Sequence, residues 1–400
     1  MRRGMFAALE AYRRTSRWWR ERWGPSADDE AEAAVLSGRA WEEFCDGLKA
    51  AGGSLSFPGT PRSAFDRAEG IRYLSRLTRA GLEAFVEHAD PAAPVLHRVV
   101  HETVKMGSDN PDNHYLTARL DGRLEYVIRG RRNTVHYLGF GTQHGHYGQN
   151  GGMPPTGYLE GSQLEIDGDG CFEIVLSARQ PRGGKGGNWL PMSERTGTLI
   201  VRQTFLDRER EQPAELEIHC TSEGVAARPL TPRDLVEGLR STSSLVAGAS
   251  LLFAKWARDF QAHSNQLPRF DQQRSNDAGG DPHIAYYHSH WALPPEHALV
   301  IEAQPPPCEH WNFQLNNYWM ESLDYRHHRI HVNKHTASYE PDGSVRIVVA
   351  HRDPGLPNWI ETVGHESGTM CFRWVRAEHH PTPRTRVVTM AELATLREGH

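Results

Sequence analysis

The chain has no apolar run approaching the roughly 18 residues that a membrane-crossing helix needs, and its first residues lack the apolar core of a secretory leader. It also lacks a basic excess: 45 Lys and Arg stand against 50 Asp and Glu, a net charge of -5. A protein that gripped nucleic acid by neutralising phosphates would carry the opposite balance, so that class of partner is excluded. Cysteine is scarce. The five residues Cys45, Cys171, Cys220, Cys308 and Cys371 are odd in number, far apart and never in a Cys-x-x-Cys pair. That excludes a disulfide framework and points to a reducing, cytoplasmic setting. Histidine, at 23, is the one compositional excess.

What the sequence does have is a repeat. Asp342-Gly343 opens a turn, Ser344 to Ala350 alternates as a strand, Arg352 and Pro354 close it, Asn358-Trp359 follows, and Gly368 to Arg373 begins another strand. Earlier in the chain Asp169-Gly170, Cys171 to Ala178, Arg179 and Pro181, Asn188-Trp189, and Gly197 to Arg202 read the same way. Residues 126–181 align without a gap on 299–354, which sets Val127-Ile128 on Val300-Ile301 and Phe140 on Phe313. Self-similarity at so long a period marks an internal duplication, and a chain of 400 residues is long enough for two such cores.

Within each copy, short strands are separated by Asp-Gly, Pro-Pro or Gly-rich turns, the pattern of an antiparallel sandwich or jelly roll. The expected fold is mainly β, α+β overall. It divides into an N-terminal helical region (1–105), a first β-sandwich repeat (106–225), a helical linker (226–275), a second repeat (276–380) and a C-terminal tail (381–400) that follows Pro381-Thr382-Pro383.

In the helical region, Met5, Leu9, Tyr12, Ser16, Trp19 and Trp23 line one face of a helix that Gly24-Pro25 ends, with arginines over the rest. Helix 5–23 suits docking on its own domain or on a second protomer, and also contact with an anionic membrane surface. Ala31 to Ala51 and Pro61 to His88 read as two more helices, expected to cover one face of the first repeat. In the linker, Thr231-Pro232 with Asp234 matches an N-cap with proline at the first helical position, opening a helix to about His263.

Asn113-His114-Tyr115 before the first strand, the Asn-Trp after a proline-ended strand and the Asp-Gly hairpin together resemble the bacterial family of domain of unknown function twelve-fourteen. The resemblance is best over 283–376 and traceable over 113–205. It implies an all-β sandwich, of the kind that often pairs with the related family twelve-fifty-four, and it supplies no catalytic residues.

The two copies can be compared with each other. Residues kept in both, namely Arg179/Arg352, Pro181/Pro354, Asn188/Asn358, Trp189/Trp359, Gly197/Gly368 and Arg202/Arg373, most simply serve the shared scaffold. An Asn can hold backbone groups with its amide and an adjacent indole can plug a sandwich end. Polar residues found in one copy alone are free to serve a task. His351 and Asp353, with His331 and Asp324, are accordingly the candidate acid-base set, since imidazole titrates near neutrality and a carboxylate fixes its tautomer. The bland alternative puts His327, His328 and Arg329 on a solvated strand face.

The aromatic-rich surroundings suggest a pocket with Trp311, Asn317, Trp319, Tyr287 and His310 as substrate-binding residues. His144 and His146, and likewise His288-Ser289-His290, alternate as metal-binding strands do, yet no Glu follows at cupin spacing, so no metal or other cofactor is assigned and His144/His146 remain an alternative. Gly183 to Gly187 lacks the phosphate-loop spacing, and Gly364 to Gly368 has its serine one place late for a nucleophile elbow. These readings describe an enzyme of small-molecule metabolism acting on a mostly apolar, lipid-, steroid- or terpenoid-like substrate. The alternatives are a non-catalytic ligand-binding or scaffolding protein and a His-ligated metal enzyme.

Overall fold

The computed structural model describes residues 25–149, 152–181 and 187–397; the helix expected over 5–23 lies outside them. The described helices are α1 (Ala27–Leu36), α2 (Arg39–Ala51), α3 (Ala64–Leu82), α4 (Pro232–Phe260), α5 (Gln272–Asp277) and α6 (Met390–Arg397). None is long and apolar enough to cross a membrane. The stretch read as one helix from Ala31 to Ala51 is two: Gly38, at φ +80° in the left-handed region, breaks it between α1 and α2.

The duplication is complete at the level of strand pairing. The first unit holds β1 (Asn113–Arg119), β2 (Tyr126–Arg131), β3 (Tyr137–Gln143), β4 (Pro155–Glu160), β5 (Cys171–Ser177), β6 (Asn188–Pro191), β7 (Thr198–Thr204) and β8 (Glu215–Cys220). The second holds β9 (Ile284–Ala292), β10 (His297–Ala303), β11 (His310–Asn316), β12 (His331–Asn333), β13 (Val345–Ala350), β14 (Trp359–Glu361), β15 (Ser367–Val375) and β16 (Arg384–Thr389). The sheet orders β1-β7-β3-β4 and β6-β5-β2-β8 recur as β9-β15-β11-β12 and β14-β13-β10-β16. In each unit one buried cluster draws side chains from both sheets: Phe140, Ile174, Leu199 and Ile218 in the first, Ile301, Trp311, Ile347 and Phe372 in the second. The strands alternate because one face of every sheet must reach that core.

Two features differ from the sequence expectation. The sheets are not purely antiparallel: β6 pairs with β5, and β14 with β13, in parallel. Neither β5 with β6 nor β13 with β14 forms a hairpin, and the Asn-Trp pair stands at the start of each parallel edge strand. Residues 384–389, expected in a tail, form β16, which pairs antiparallel with β10 from His297–Thr389 to Glu302–Arg384.

The Asn-Trp residues are scaffold, as the comparison of copies implied. Asn188 accepts from the Glu165 amide and donates to the carbonyls of Glu165 and Glu173. Asn358 repeats this with Ser338 and Arg346. The indoles of Trp189 and Trp359 donate to Ser177 and Ala350 at the ends of the neighbouring strands.

α4 begins as its sequence dictates. Thr231 and Asp234 cap each other reciprocally with Pro232 at the first position. Its buried stripe, including Val246, Phe253 and Trp256, packs with Tyr73 and Leu77 of α3 and with Tyr318, Trp319 and Met320 of the second unit. The helices therefore do not merely cover the first repeat: they bridge both. The first unit reaches α4 where Tyr147-Gly148 crosses it, so closely that a Cβ on Gly148 would sit 2.2 Å from the Ser244 carbonyl oxygen and one on Gly248 would sit 2.3 Å from that of Tyr147.

Candidate ligand-binding site between the repeats

Alternation along β11 points Trp311, Phe313 and Leu315 into the core and sends His310, Asn312, Gln314 and Asn316 to the opposite face. Such a face would normally be wet. Here all four polar residues are fully buried, because the segment from Lys105 to Asn113 that leads into the first repeat lies across the second repeat's sheet.

The buried polar groups pair across this joint. Asp112 receives His310 Nε2 and His331 Nε2, each at 3.2 Å, and the side-chain amides of Asn312 at 2.8 Å and Asn333 at 2.9 Å. Burial pushes the Asp112 carboxyl up, but the two histidines outweigh it and hold it well below the usual range. Asp109 takes the Ser322 amide and hydroxyl, and Lys105 Nζ donates to the carbonyls of Ser322 and Leu323. Nearby, Arg76 pairs at 2.6 Å with the fully buried Glu321, whose other oxygen accepts from Asn317.

Beside this joint a cavity of about 170 Å³ opens between the repeats. The first unit contributes Tyr115 and Thr117 from β1, Gln143 from β3, and Ile200 and Arg202 from β7; the second contributes Tyr286 and His288 from β9 and Arg373 from β15. Phe253 and Trp256 of α4, together with Ala278 and Gly279, close the wall. Arg202 and Arg373 occupy equivalent places. Each lies opposite a tyrosine of the neighbouring strand, Tyr115 on β1 and Tyr286 on β9, so the duplication itself brings two guanidiniums and two phenols to one site.

The arginines are held differently. Arg373 donates to Asn312 Oδ1 at 3.2 Å, Gln314 Oε1 at 2.6 Å and the Ser108 carbonyl. Arg202 donates to the Gly279 carbonyl at 2.6 Å and stands 3.9 Å from the buried Asp281. Burial raises the Tyr115 and Tyr286 phenols, and both arginines act against it. His288 is stacked on Tyr286 and Phe260, with ring planes 7° apart in each case. Burial, reinforced by Arg373, drops its imidazole to about 3, so it is neutral at pH 7. Two buried polar atoms of the wall, Gln143 Oε1 and His288 Nδ1, have no hydrogen-bond partner among the described residues.

The residues singled out in the sequence lie elsewhere. His351 spends both ring nitrogens within the second unit, on Thr362 Oγ1 at 2.9 Å and the Leu293 carbonyl at 3.0 Å. Asp353 accepts from the Gly355 amide in an exposed turn. Asp324 is paired with Arg326, which holds its carboxyl far below the usual range. The four do not converge. Of this set His331 alone meets another candidate, His310, through Asp112.

The expected pocket residues are also distributed. Trp311 belongs to the core, and Tyr287 is buried there with its hydroxyl on the His380 carbonyl. Asn317 caps the Trp319 and Glu321 amides, and Trp319 packs beside Tyr73. His144 and His146 turn to different partners, His144 Nδ1 to the Arg195 carbonyl at 2.8 Å and His146 Nδ1 to the Gly148 amide. Among the described residues no group of three His, Cys, Asp or Glu is placed to hold a metal ion. What the sequence reading missed is Asp112, which sits in a loop without a motif, and the face parity that selects Tyr286 and His288 over Tyr287.

A family model described as a protein of unknown function, DUF1214, matches residues 154–204 and 293–379, one segment in each repeat. An uncharacterized protein from Burkholderia cenocepacia, known from its crystal structure, is 50% identical; the match covers 90% of this chain and 99% of that one with a TM-score of 0.87. A protein from Vibrio parahaemolyticus matches at 13% identity over 80% of this chain and 98% of its own, with a TM-score of 0.47. No curated protein matches the sequence.

Proposed function

The chain belongs to the DUF1214 family, and on that footing we propose that it is a binding protein for a small molecule, lodged in the cavity between its two repeats. One observation carries this reading: a closely packed interface leaves Gln143 Oε1 and His288 Nδ1 unpaired on a cavity wall, where each unsatisfied group costs about 1–3 kcal/mol unless a ligand or water meets it. Apolar walls with a few converging polar groups are the usual make-up of a small-molecule site.

At about 170 Å³ the cavity is smaller than the roughly 300–1,000 Å³ of drug-sized sites. The ligand is therefore closer to a single ring or a short chain than to a steroid or terpenoid. The acid-base enzyme reading is not carried forward, because His351 is engaged at both nitrogens and the His310-Asp112-His331 cluster belongs to the joint between repeats. Five free thiols support a reducing compartment.

The test is thermal shift of the full chain with small cyclic and short-chain metabolites, since a ligand that binds only the folded form raises Tm. Ala278→Leu, which fills the cavity, is expected to abolish the shift. A shift produced only by sterol-sized compounds, and kept in Ala278→Leu, would reject the site.

A further inference from the structure

We infer that the ligand of this cavity is a small organic anion, a carboxylate carrying an apolar or single-ring body, clamped between Arg202 and Arg373. This rests on the binding reading above and goes further by fixing the charge of what binds. The first ground is unspent hydrogen-bonding capacity. A guanidinium carries five N–H donors in a fixed fork. Among the described residues Arg373 uses its Nη groups on Asn312, Gln314 and Ser108 and makes no hydrogen bond from Nε. Arg202 uses Nη2 on Gly279 alone.

The second ground is charge. Arg373 is 3% exposed and Arg202 8% exposed, and a buried cation is costly unless an anion or a full set of acceptors meets it. No carboxylate lies within ion-pair distance of Arg373 among the described residues. The nearest to Arg202 is Asp281, whose oxygens already accept from the His283 amide at 2.9 Å and the Tyr137 hydroxyl at 3.3 Å and which stands 3.9 Å away. Asp109, the other acid near the site, is occupied by Ser322. Two guanidiniums thus face one cavity, and the two acids beside it, Asp281 and Asp109, already spend their oxygens on other donors.

A carboxylate supplies both what the donors lack and what the charges lack, because its two oxygens match the guanidinium fork. The remaining wall recognises the body of the ligand. Phe253, Trp256 and Ile200 offer apolar contact. His288, neutral and with Nδ1 unpaired, can donate or accept according to tautomer and so reads a neighbouring hydroxyl or carboxylate oxygen.

The experiment is titration calorimetry of the full chain at pH 7 with three probes of one shape: benzoate, benzamide and benzyl alcohol. Benzoate is expected to bind at least about tenfold tighter than either neutral probe, and Arg202→Gln to remove that advantage while leaving benzamide within about threefold. Equal affinity for benzoate and benzamide overturns the anion assignment and leaves the cavity reading standing. Binding by none of the three, with the Ala278→Leu protein equally inert, overturns both. Should Arg202→Gln fail to fold, chloride decides on the wild-type protein: it must weaken benzoate and spare benzamide, and a salt-independent benzoate affinity rejects the clamp.

Discussion

β3 and β11 are the same strand in two copies, and their outward faces have been resolved in opposite ways. On β11 that face reads His310, Asn312, Gln314, Asn316; on β3 it reads Tyr137, Gly139, Gly141, Gln143. Where Asn312 and Gln314 grip Arg373, the first copy has two glycines, and Arg202 turns instead to the Gly279 carbonyl. One half of the duplication became a polar joint that clamps the molecule together. The other kept the arginine and left room around it. A residue shared by two copies can therefore be scaffold, as Asn188 and Asn358 are, or can be the part of the site that the duplication made double.

The polar joint depends most on Asp112, which four side chains of the second repeat meet. Asp112→Ala strands two histidines and two amides of the second repeat in a buried joint, and is expected to cost about 3–5 kcal/mol in chemical denaturation, as breaking one side of a buried ion pair does. A cost under about 1 kcal/mol would mean that the joint is not what holds the repeats together.

Acid sharpens the contrast between the buried, ion-paired joint and the cavity. The folded His288 titrates at about 3, against 6.5 unfolded, so the unfolded chain binds the extra proton throughout that window. Stability from this group is complete above about pH 6.5 and falls by about 1.4 kcal/mol per unit of pH down to about 3. Asp112, whose folded value is depressed, contributes only above the usual carboxylate range near 4 and is lost as pH falls below it. Denaturation curves between pH 7 and 4 should flatten by close to one proton in His288→Phe; an unchanged slope would assign the acid lability to other groups.

The two scaffold asparagines should contribute equally. Asn188→Ala and Asn358→Ala each remove three hydrogen bonds to backbone groups, and each is expected to lower stability by about 1–3 kcal/mol. Markedly unequal losses, read in the same urea titration, would show that the repeats do not share one architecture energetically.

Making β3 more like β11 should cost less. A Cβ on Gly139 would stand 3.0 Å from the Tyr137 hydroxyl and 3.2 Å from that of Tyr158. Gly139→Ala is expected to destabilise by about 1–2 kcal/mol through overpacking, and a Tm at or above wild type would show that the space is not needed. The smallest effect is expected at Asp353→Asn, within about 0.5 kcal/mol, because Asp353 caps an exposed turn.

Much of the fold was legible because strand alternation, the Asp-Gly turns and the Asn-Trp pair are local signals that occur twice. The cap at Thr231 was local as well. The break at Gly38 and the strand at 384–389 were not, the first because the helical pattern continues across it and the second because β16 is specified by its partner β10. The site was harder to read for a physical reason. Burial of a polar strand face is decided by what lies on top of it, and Lys105 to Asn113 is 198 to 221 positions away in sequence from the residues it covers. One clue was available: the outward face of β11 is built of amides and histidine without Lys or Glu, a choice suited to neighbours that donate and accept in fixed places. Parity did the rest. Tyr287 and Trp311 are as aromatic as the cavity residues, but they stand on the core side of their strands, and the cavity takes Tyr286 and His288.

The overlap of Lys105–Asn113 with the second sheet also bears on synthesis. Asp109 and Asp112 are made about two hundred residues before their partners His310, Asn312, Ser322, His331 and Asn333. Until then both carboxylates lack the partners that bury them in the folded protein. Contacts this remote along the chain slow folding, so the joint between the repeats is expected to close late.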